Sequence, residues 1–203
     1  MEPGTHAGDA RTHLAARRVV PVDALTRLAR AAQHGDERAL EAFVEVSYDQ
    51  VWRLCAGLVS ASDADDLSQE TYARALRALP QFRADASART WLLAIARYVC
   101  LDELRSKDRR RRRDASAALR AGGRRSAAGD ASESIVVNDL LGRLDPDRRS
   151  AFVLTQMLGL SYEEAARVCG CPIGTIRSRV ARARMDLLST TTDAVERPER
   201  RAH

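Results

Sequence analysis

The chain has 203 residues, with 33 basic and 28 acidic side chains, a net charge of +5 and a pI of about 9.4. Hydrophobic residues make up 45% and charged residues 30%, which excludes a wholly disordered chain. No apolar run approaches the roughly 18 residues of a membrane-spanning helix, and the first residues lack the apolar core of a secretory signal. We therefore expect no membrane insertion and a cytoplasmic location.

The basic residues are 32 Arg and a single Lys, Lys107. Arg presents a planar fork that suits phosphate, and a basic pI is typical of proteins that bind nucleic acid. GC-rich codons would also give an Arg-rich, Lys-poor chain. The positions of the charges must therefore decide between the two interpretations.

Charge is unevenly distributed along the chain. Residues 36–70 carry a net charge of −7, Arg105–Arg125 carry +8, and Thr175–Arg184 carry +4. An acidic surface on a protein that binds nucleic acid favours a protein partner as well.

Helix-capping residues and apolar periodicity predict four helices in the first half of the chain, at residues 22–34, 36–59, 62–79 and 87–105. Gly35 ends the first helix and Pro80 ends the third. Apolar residues surround most of the fourth helix between Trp91 and Leu101, which is typical of a helix at the centre of a bundle. No strand-like alternation is present, so we expect an all-α fold.

The segment from Asp108 to Glu133 consists of Arg, Ala, Gly, Ser, Asp and Glu with one Leu, and it has too little apolar surface to order itself. It is interpreted as a flexible linker between two small helical domains. The predicted organisation is a disordered N-terminal extension over 1–20, a helical bundle over 21–107, the linker over 108–133, a helix-turn-helix domain over 134–190 and a disordered tail over 191–203.

The second domain carries the pattern of a helix-turn-helix. Asp145 and Pro146 begin one helix, and Ser161 with Glu164 forms a capping box that begins the next. Gly170 lies in the turn, where a positive φ is often required.

Pro172 begins the last helix, which is predicted to extend to about Leu188. Four apolar residues share one face of this helix, namely Ile176, Val180, Ala183 and Leu187. Polar residues lie on the other side: Thr175, Ser178 and Arg182, flanked by Arg177 and Arg184. A helix of this kind can enter the DNA major groove, where hydroxyl and guanidinium groups reach bases and phosphates.

No residue pattern favours a catalytic or metal site. Cys55 and Cys100 lie in apolar stretches, and Cys169 with Cys171 forms a C-x-C motif that lacks the paired spacing of a zinc site. The chain offers no nucleophile–base pair, metal cluster or phosphate-binding loop. We therefore predict no metal, no cofactor and no enzymatic activity.

Three motifs follow each other at fitting distances: Asp65-Asp-Leu-Ser-Gln-Glu-Thr71, Phe82 to Arg97, and, within the helix-turn-helix, Ser161 to Arg179. In this order they resemble the bacterial sigma factors of the extracytoplasmic-function (ECF) group, the small two-domain members of the sigma-70 family. The resemblance covers about Asp23 to Leu188 apart from the linker. One departure is Cys171, which stands where an aliphatic residue is usual.

The resemblance implies two partners, core RNA polymerase and promoter DNA, and an anti-sigma factor is a further candidate partner. The first domain would bind the clamp helices of the polymerase β′ subunit through Asp65, Asp66, Gln69 and Glu70. The same domain would engage and melt the −10 element through Phe82, Arg83, Asp85, Ser87, Trp91, Arg97 and Arg105.

The resemblance also gives roles to the rest of the chain. The linker would pass through the polymerase active-site cleft and RNA exit path, and the second domain would touch the β flap. That domain would read the −35 element through Pro172, Gly174, Thr175, Arg177, Ser178, Arg179, Arg182 and Arg184.

Two other functions compete with this interpretation. The first is a helix-turn-helix regulator whose N-terminal bundle binds a ligand or dimerises. The second is a site-specific recombinase, which would need a nucleophilic Ser or Tyr beside clustered Arg. Tyr98 beside Arg97 is the nearest candidate, but its place within an apolar helix argues against it.

Overall fold

The computed structural model describes the backbone of residues 22–121 and 139–196, and the side chains of residues 24–116 and 139–189. Within these ranges the protein is helical and contains no strand. The helices are α1 (Val22–Gln33), α2 (Glu37–Leu58), α3 (Ala64–Ala78), α4 (Ala88–Ala121), α5 (Pro146–Phe152), α6 (Tyr162–Cys169) and α7 (Ile173–Glu196), with a 3-10 turn at Leu79–Gln81 and a π-helical turn at Val153–Met157.

Local capping explains where several helices begin and end. Gly35 follows α1 with a φ of +93°, and the carboxylate of Asp36 accepts a hydrogen bond from the Ala39 amide at 3.0 Å. The third helix begins at Ala64 instead of Ser62, because Asp63 takes the capping position. Pro80 ends that helix by directing the chain into the 3-10 turn.

The fourth helix is much longer than predicted. It continues from Arg105 to Ala121, so the predicted end at Arg105 was wrong, and residues 108–121 are helical where a flexible segment was predicted. This part of the helix forms without burying apolar surface, because Arg and Ala have high helix propensity and an existing helix grows without a new nucleation step. The ion pair of Arg112 with Asp108, at 2.9 Å, adds support at a spacing of four.

The last helix also extends further than predicted. It reaches Glu196, which is eight residues past Leu188 and inside the segment predicted as a disordered tail. The predictions for residues 1–20, 122–133 and 197–203 lie outside the residues that the structure describes.

The first domain is built around α4, which packs against α1, α2 and α3. This confirms α4 as a central helix, although Tyr98 is 58% exposed. The largest fully buried side chains of this domain are Phe43, Val51, Leu54, Leu58, Leu92 and Leu93.

The second domain has the predicted helix-turn-helix. The capping box at the start of α6 is closed by the Glu164 amide, 3.1 Å from Ser161 Oγ, and by the Ser161 amide, 2.8 Å from Glu164 Oε2. Gly170 ends α6 with a φ of +62°. The apolar face of α7 is buried at Ile176, Val180 and Ala183, as its periodicity predicted.

The two domains pack directly against each other, and their buried residues form one continuous cluster. Helix α4 contacts α6, and α2 contacts the π-helical turn. The closest approach is at Gly57, where a Cβ atom would lie 3.0 Å from Val153 Cγ1. Among the described residues, no helix is both long enough and apolar enough to cross a membrane.

We expect Ser161→Ala to lower the free energy of unfolding by about 1 kcal/mol, because it leaves the Glu164 amide without its capping acceptor. Urea denaturation of the full chain, followed by circular dichroism, measures the loss. Ser189→Ala, at an exposed site within α7, is the matched control and should change stability by less than about 0.5 kcal/mol. Equal losses in the two variants would contradict a capping role.

Candidate polymerase and nucleic-acid interfaces

The acidic surface lies on α3. Asp65, Asp66 and Gln69 are exposed, and Glu70 accepts a hydrogen bond from Arg74 Nε at 2.6 Å. With spacings of one, three and one, these four predicted polymerase contacts lie on one side of the helix. The structure therefore brings all four residues together.

Two aromatic residues of α2, which the sequence analysis missed, orient Asp65. Its carboxylate accepts hydrogen bonds from Trp52 Nε1 at 2.9 Å and from Tyr48 Oη at 3.1 Å. Burial and the hydrogen bond to Asp65 raise the pKa of Tyr48, which keeps its hydroxyl a donor. Spacing could not reveal this contact, because Tyr48 and Trp52 read as ordinary aromatic residues of an amphipathic helix.

A buried network supports this surface from below. The Tyr48 ring stacks on Tyr72 with the centroids 6.3 Å apart, and the Tyr72 and Ser47 hydroxyls lie 2.8 Å apart. Burial raises the pKa of Tyr72 to about 12.

The loop before α4 holds the first group of residues predicted for the −10 element. Phe82 is buried and its ring packs on Trp91 at 5.0 Å, so it positions the loop instead of offering a free aromatic face. Arg83 and Asp85 are largely exposed and lie 3.4 Å apart. Ser87 begins α4 by accepting a hydrogen bond from the Thr90 amide at 3.2 Å.

Two features that the sequence analysis missed shape this loop. Gln33, at the end of α1, donates hydrogen bonds to the carbonyl oxygens of Pro80 at 2.9 Å and Phe82 at 3.1 Å. Ala84 has a φ of +56°, a left-handed conformation that costs a residue with a Cβ about 1–2 kcal/mol. The hydrogen bonds from Gln33 help to hold the loop in this strained form.

The other residues predicted for the −10 element lie along α4. Trp91 is half-buried and Arg105 is exposed. Arg97 is only 13% exposed, and its Nη2 donates to Asp147 Oδ1 of α5 at 2.6 Å. In the described part of the chain, Nε of Arg97 is buried without a hydrogen-bond partner.

Most residues predicted for the −35 element lie on the open side of α7 and just before it. Exposed positions are Pro172, Gly174, Arg177, Ser178, Arg182 and Arg184, and Thr175 is half-buried. Arg184 Nη2 donates to Gln156 Oε1 at 2.6 Å. Arg179 differs, because it donates to Asp147 Oδ2 of α5, within the same domain, at 2.5 Å.

A buried arginine joins the two domains. Arg149 of α5 is 5% exposed, and its Nε donates to the carbonyl oxygen of Gly57 at 2.7 Å. Its Nη2 lies 3.4 Å from the carbonyl oxygen of Val59. Burial lowers the pKa of the guanidinium. Arg149 thereby satisfies carbonyl groups at the C-terminal end of α2, which have no partner within that helix.

A second arginine crosses the same boundary. Arg89 of α4 donates to Gln50 Oε1 at 2.6 Å and to the carbonyl oxygen of Leu158 at 2.8 Å. The contacts of Arg89, Asp147 and Arg149 were not predicted, because local spacing carries no signal for contacts between residues this far apart in sequence.

The cysteines do not form a metal cluster in the part of the chain that the structure describes. Cys55 and Cys100 are buried in the first domain. Cys171 Sγ lies 3.6 Å from Arg179 Nη1, and burial raises the pKa of Cys169 to about 11. A thiol of this kind is inert at neutral pH.

Comparisons with known proteins agree with this architecture. Residues 43–110 match the family model of sigma-70 region 2, and residues 135–187 match that of sigma-70 region 4. The chain therefore belongs to the sigma-70 family, and it is a two-domain sigma factor. Over 169 residues it is 50% identical to the ECF RNA polymerase sigma factor SigC of Mycobacterium tuberculosis, covering 82% of this chain and 91% of the relative. This likeness places it in the ECF group and confirms the resemblance seen in the sequence.

Solved structures show the same fold. CnrH in complex with the cytosolic domain of CnrY aligns with a TM-score of 0.66 and 29% identity, over 85% of this chain and 99% of the other. The sigma factor RpoE of Bartonella quintana, in complex with the anti-sigma factor NepR, aligns with a TM-score of 0.58 and 28% identity. That alignment covers 75% of this chain and 96% of the other.

The network below the acidic surface predicts a loss of stability at high pH. Tyr72 has a folded-state pKa of about 12, above the value of about 10 of an unfolded tyrosine. Its contribution to stability is therefore complete below about pH 10 and is lost as the pH rises through about 12. We expect Tyr72→Phe to make the free energy of unfolding less dependent on pH across this window, as measured by urea denaturation. Tyr162→Phe is the control, and an unchanged pH dependence in Tyr72→Phe would contradict the assignment.

Proposed function

We propose that this sigma factor contacts polymerase through α3, melts the −10 element with the loop before α4, and reads the −35 element with α7. The observation that carries the proposal is the composition of α7. Its apolar face is buried, and its other side exposes Arg177, Ser178 and Arg182 without an intervening acidic residue. Such a helix offers a major groove the donors that recognise bases and phosphates.

The proposal assigns the acidic surface of α3 to the clamp helices of the polymerase β′ subunit. Asp65 is held in place by Tyr48 and Trp52, so part of this surface is ordered before any partner binds. A preorganised carboxylate loses little side-chain entropy on binding, and carboxylates favour a basic partner.

At the −10 element, some residues position the loop before α4 and others are available to contact DNA. Phe82 and Trp91 pack on each other and hold the loop, while Arg83 and Asp85 are exposed for contact. Ser87 and Arg105 add polar groups at the start of α4 and further along it, and we assign Arg97 to the same element although it pairs with Asp147 in this structure. Unstacking and unpairing a base costs a few kcal/mol. Contacts between the exposed base and the loop would offset this cost.

The remaining assignments follow the family. The basic end of α4 and the segment after it would pass through the polymerase active-site cleft and RNA exit path, and the second domain would touch the β flap. The two aligned structures contain CnrY and the anti-sigma factor NepR, and this supports an anti-sigma factor as a partner of the present chain. We assign the protein to the cytoplasm, where polymerase acts, and assign it no catalytic activity of its own.

Runoff transcription with purified core polymerase and a genomic template library tests the whole proposal. We expect promoter-dependent transcripts with the chain and none with core polymerase alone. Tight binding of duplex DNA by the chain, with no transcripts from any template, would favour the helix-turn-helix regulator instead.

Replacing both Arg177 and Arg182 with Ala should weaken promoter binding by the holoenzyme and flatten its salt dependence by about 2 in logarithmic slope, since two phosphate contacts are lost. Fluorescence anisotropy with a promoter fragment found by runoff transcription measures both quantities. The control replaces Arg38 and Arg143, two exposed arginines away from α7, and removes the same charge. If the salt dependence of promoter binding had the same slope in this variant and in the control, Arg177 and Arg182 would not be part of the DNA interface.

The variant Gln69→Ala with Glu70→Ala should reduce affinity for core polymerase roughly tenfold, through loss of two adjacent polar contacts. Its circular dichroism should remain unchanged, because both side chains lie on the surface of α3. Pull-down with tagged core polymerase measures the affinity. Glu163→Ala, at an exposed acidic residue of the second domain, is the control. If the double variant kept its full affinity for core polymerase, the acidic surface of α3 would not be part of the polymerase interface.

A further inference from the structure

The loop before α4 is hydrogen-bonded to α1 at both of its ends. At the start of the loop, Gln33 Nε2 donates to the carbonyl oxygens of Pro80 at 2.9 Å and Phe82 at 3.1 Å. At the end of the loop, the Ala88 amide donates to Thr26 Oγ1 at 3.0 Å. Ala88 is the first residue of α4, so its amide has no acceptor within that helix. One helix therefore holds the loop from both sides.

The spacing of these residues on α1 suits the two contacts. Thr26 and Gln33 are seven positions apart, so they lie on the same face of the helix, about 10 Å apart along its axis. Ala29 lies between them on that face and is fully buried. Its methyl group takes little room, which suits the packing of α1 on the 3-10 turn and on α4.

Between its two ends the loop contains a strained residue. Ala84 has a φ of +56°, in the left-handed region that only glycine adopts without steric cost. Its side chain nevertheless packs against the hydrophobic core. A loop with free ends would relax Ala84 to a negative φ, because that backbone costs an alanine less. The hydrogen bonds to Thr26 and Gln33 oppose this relaxation, because they fix where the loop begins and ends.

The strained conformation determines what the loop presents to solvent. Arg83 and Asp85, on either side of Ala84, have side chains that are 84% and 76% exposed and lie 3.4 Å apart. Together they offer a donor and an acceptor of hydrogen bonds at one place. A base that leaves the duplex is recognised by hydrogen bonds to its edge. Hydrogen bonds are directional, so this pair can distinguish between bases only while the loop keeps one conformation.

We propose that Thr26 and Gln33 are positioning residues for base selection at the −10 element. They hold Ala84 in its left-handed conformation, and this conformation places Arg83 and Asp85 against an unpaired base. Neither positioning residue needs to touch DNA. The role in base selection rests on the proposed function, which assigns the loop to the −10 element.

Gln33→Met tests this role in the holoenzyme, because it keeps the length of the side chain and removes its donor. The measurement is the rate of runoff transcription from a promoter found with the wild type, and from promoters in which each −10 base is replaced in turn. We expect the preference for the native base at one −10 position to fall roughly tenfold, since two hydrogen bonds that hold the loop are lost. A variant that only unfolds more easily would lower transcription from every template equally. An unchanged preference would overturn the role of Gln33.

His34→Ala is the matched control at the same end of α1. The His34 ring lies 2.7 Å from the carbonyl oxygen of Arg30 in the same helix, so this contact does not involve the loop. We expect the wild-type base preference from this control. An equal loss of preference in His34→Ala and Gln33→Met would overturn the positioning role.

Thr26→Val tests the other end of the loop, because it keeps the shape of the side chain and removes the acceptor of the Ala88 amide. We expect the same direction of change as in Gln33→Met, namely a weaker preference for the native base. A wild-type preference in Thr26→Val would remove Thr26 from the assignment.

Ala84→Gly separates positioning from general stability. Glycine adopts a positive φ about as readily as a negative one, so this change removes the strain that the Gln33 hydrogen bonds oppose. Combined with Gln33→Met, it should recover part of the lost base preference. No recovery would overturn left-handed Ala84 as the feature that α1 holds.

Hydrogen exchange in the free chain separates the hold of α1 on the loop from the proposed function. Mass spectrometry should find faster exchange of the loop amides in Gln33→Met than in His34→Ala, because the loop opens more often. Equal exchange in the two variants would reject the positioning role, whether or not the wild type produces transcripts. Faster exchange in Gln33→Met, without transcripts from the wild type or any variant, would reject the −10 assignment and keep the hold of α1 on the loop.

Discussion

The relation between the two domains depends on a buried cation that is satisfied by backbone carbonyl groups. Arg149 is almost fully buried, and its hydrogen bonds go to Gly57 and Val59 at the end of α2. A helix leaves its last four carbonyl groups without partners, and their partial negative charge attracts a cation. The second domain thus provides the cap that α2 lacks. Moving the domains apart exposes both the arginine and the helix end to water, where each can again be hydrogen-bonded.

Because these polar groups can be hydrogen-bonded by water, the free energy needed to separate the domains is smaller than their buried area alone would indicate. Apolar burial at Gly57 and Val153 favours the closed state, but the polar groups at the boundary exchange protein partners for water on opening. Ion pairs at Asp147 are partly exposed and are weakened by salt. A boundary of this composition suits a protein whose domains must act on two separate DNA elements.

The charge asymmetry of the chain now has a structural location. The acidic stretch of residues 36–70 contains the α3 surface, whose Asp65 is held by two aromatic donors. The described part of the first basic stretch, residues 105–116, lies mostly exposed on α4, and the second basic stretch lies on the open face of α7. The acidic and the first basic stretch meet where Lys107 pairs with Asp63 at 2.7 Å. The modest net charge therefore conceals surfaces of opposite sign that suit different partners.

The sequence predicted the elements that are fixed by local chemistry. Gly170, Ser161 with Glu164, and the buried face around Ile176 and Val180 all occur where the spacing placed them, because capping and amphipathic periodicity act over a few residues. The long end of α4 was missed, since the prediction weighed burial and gave too little weight to helix propensity. The contacts of Asp147 and Arg149 could not be predicted, because they depend on how two distant helices meet.

The extension of α4 beyond Arg105 is a positively charged helical segment. From Arg105 to Ala121 a helix rises about 24 Å at roughly 1.5 Å per residue. Five successive arginines, Arg109 to Arg113, lie on it at steps of about 100°. They therefore point in every direction around the axis and do not form a single stripe. A helix of this kind attracts a polyanion from any side without fixing its orientation, and salt screens the attraction beyond a Debye length of about 10 Å at 0.1 M ionic strength.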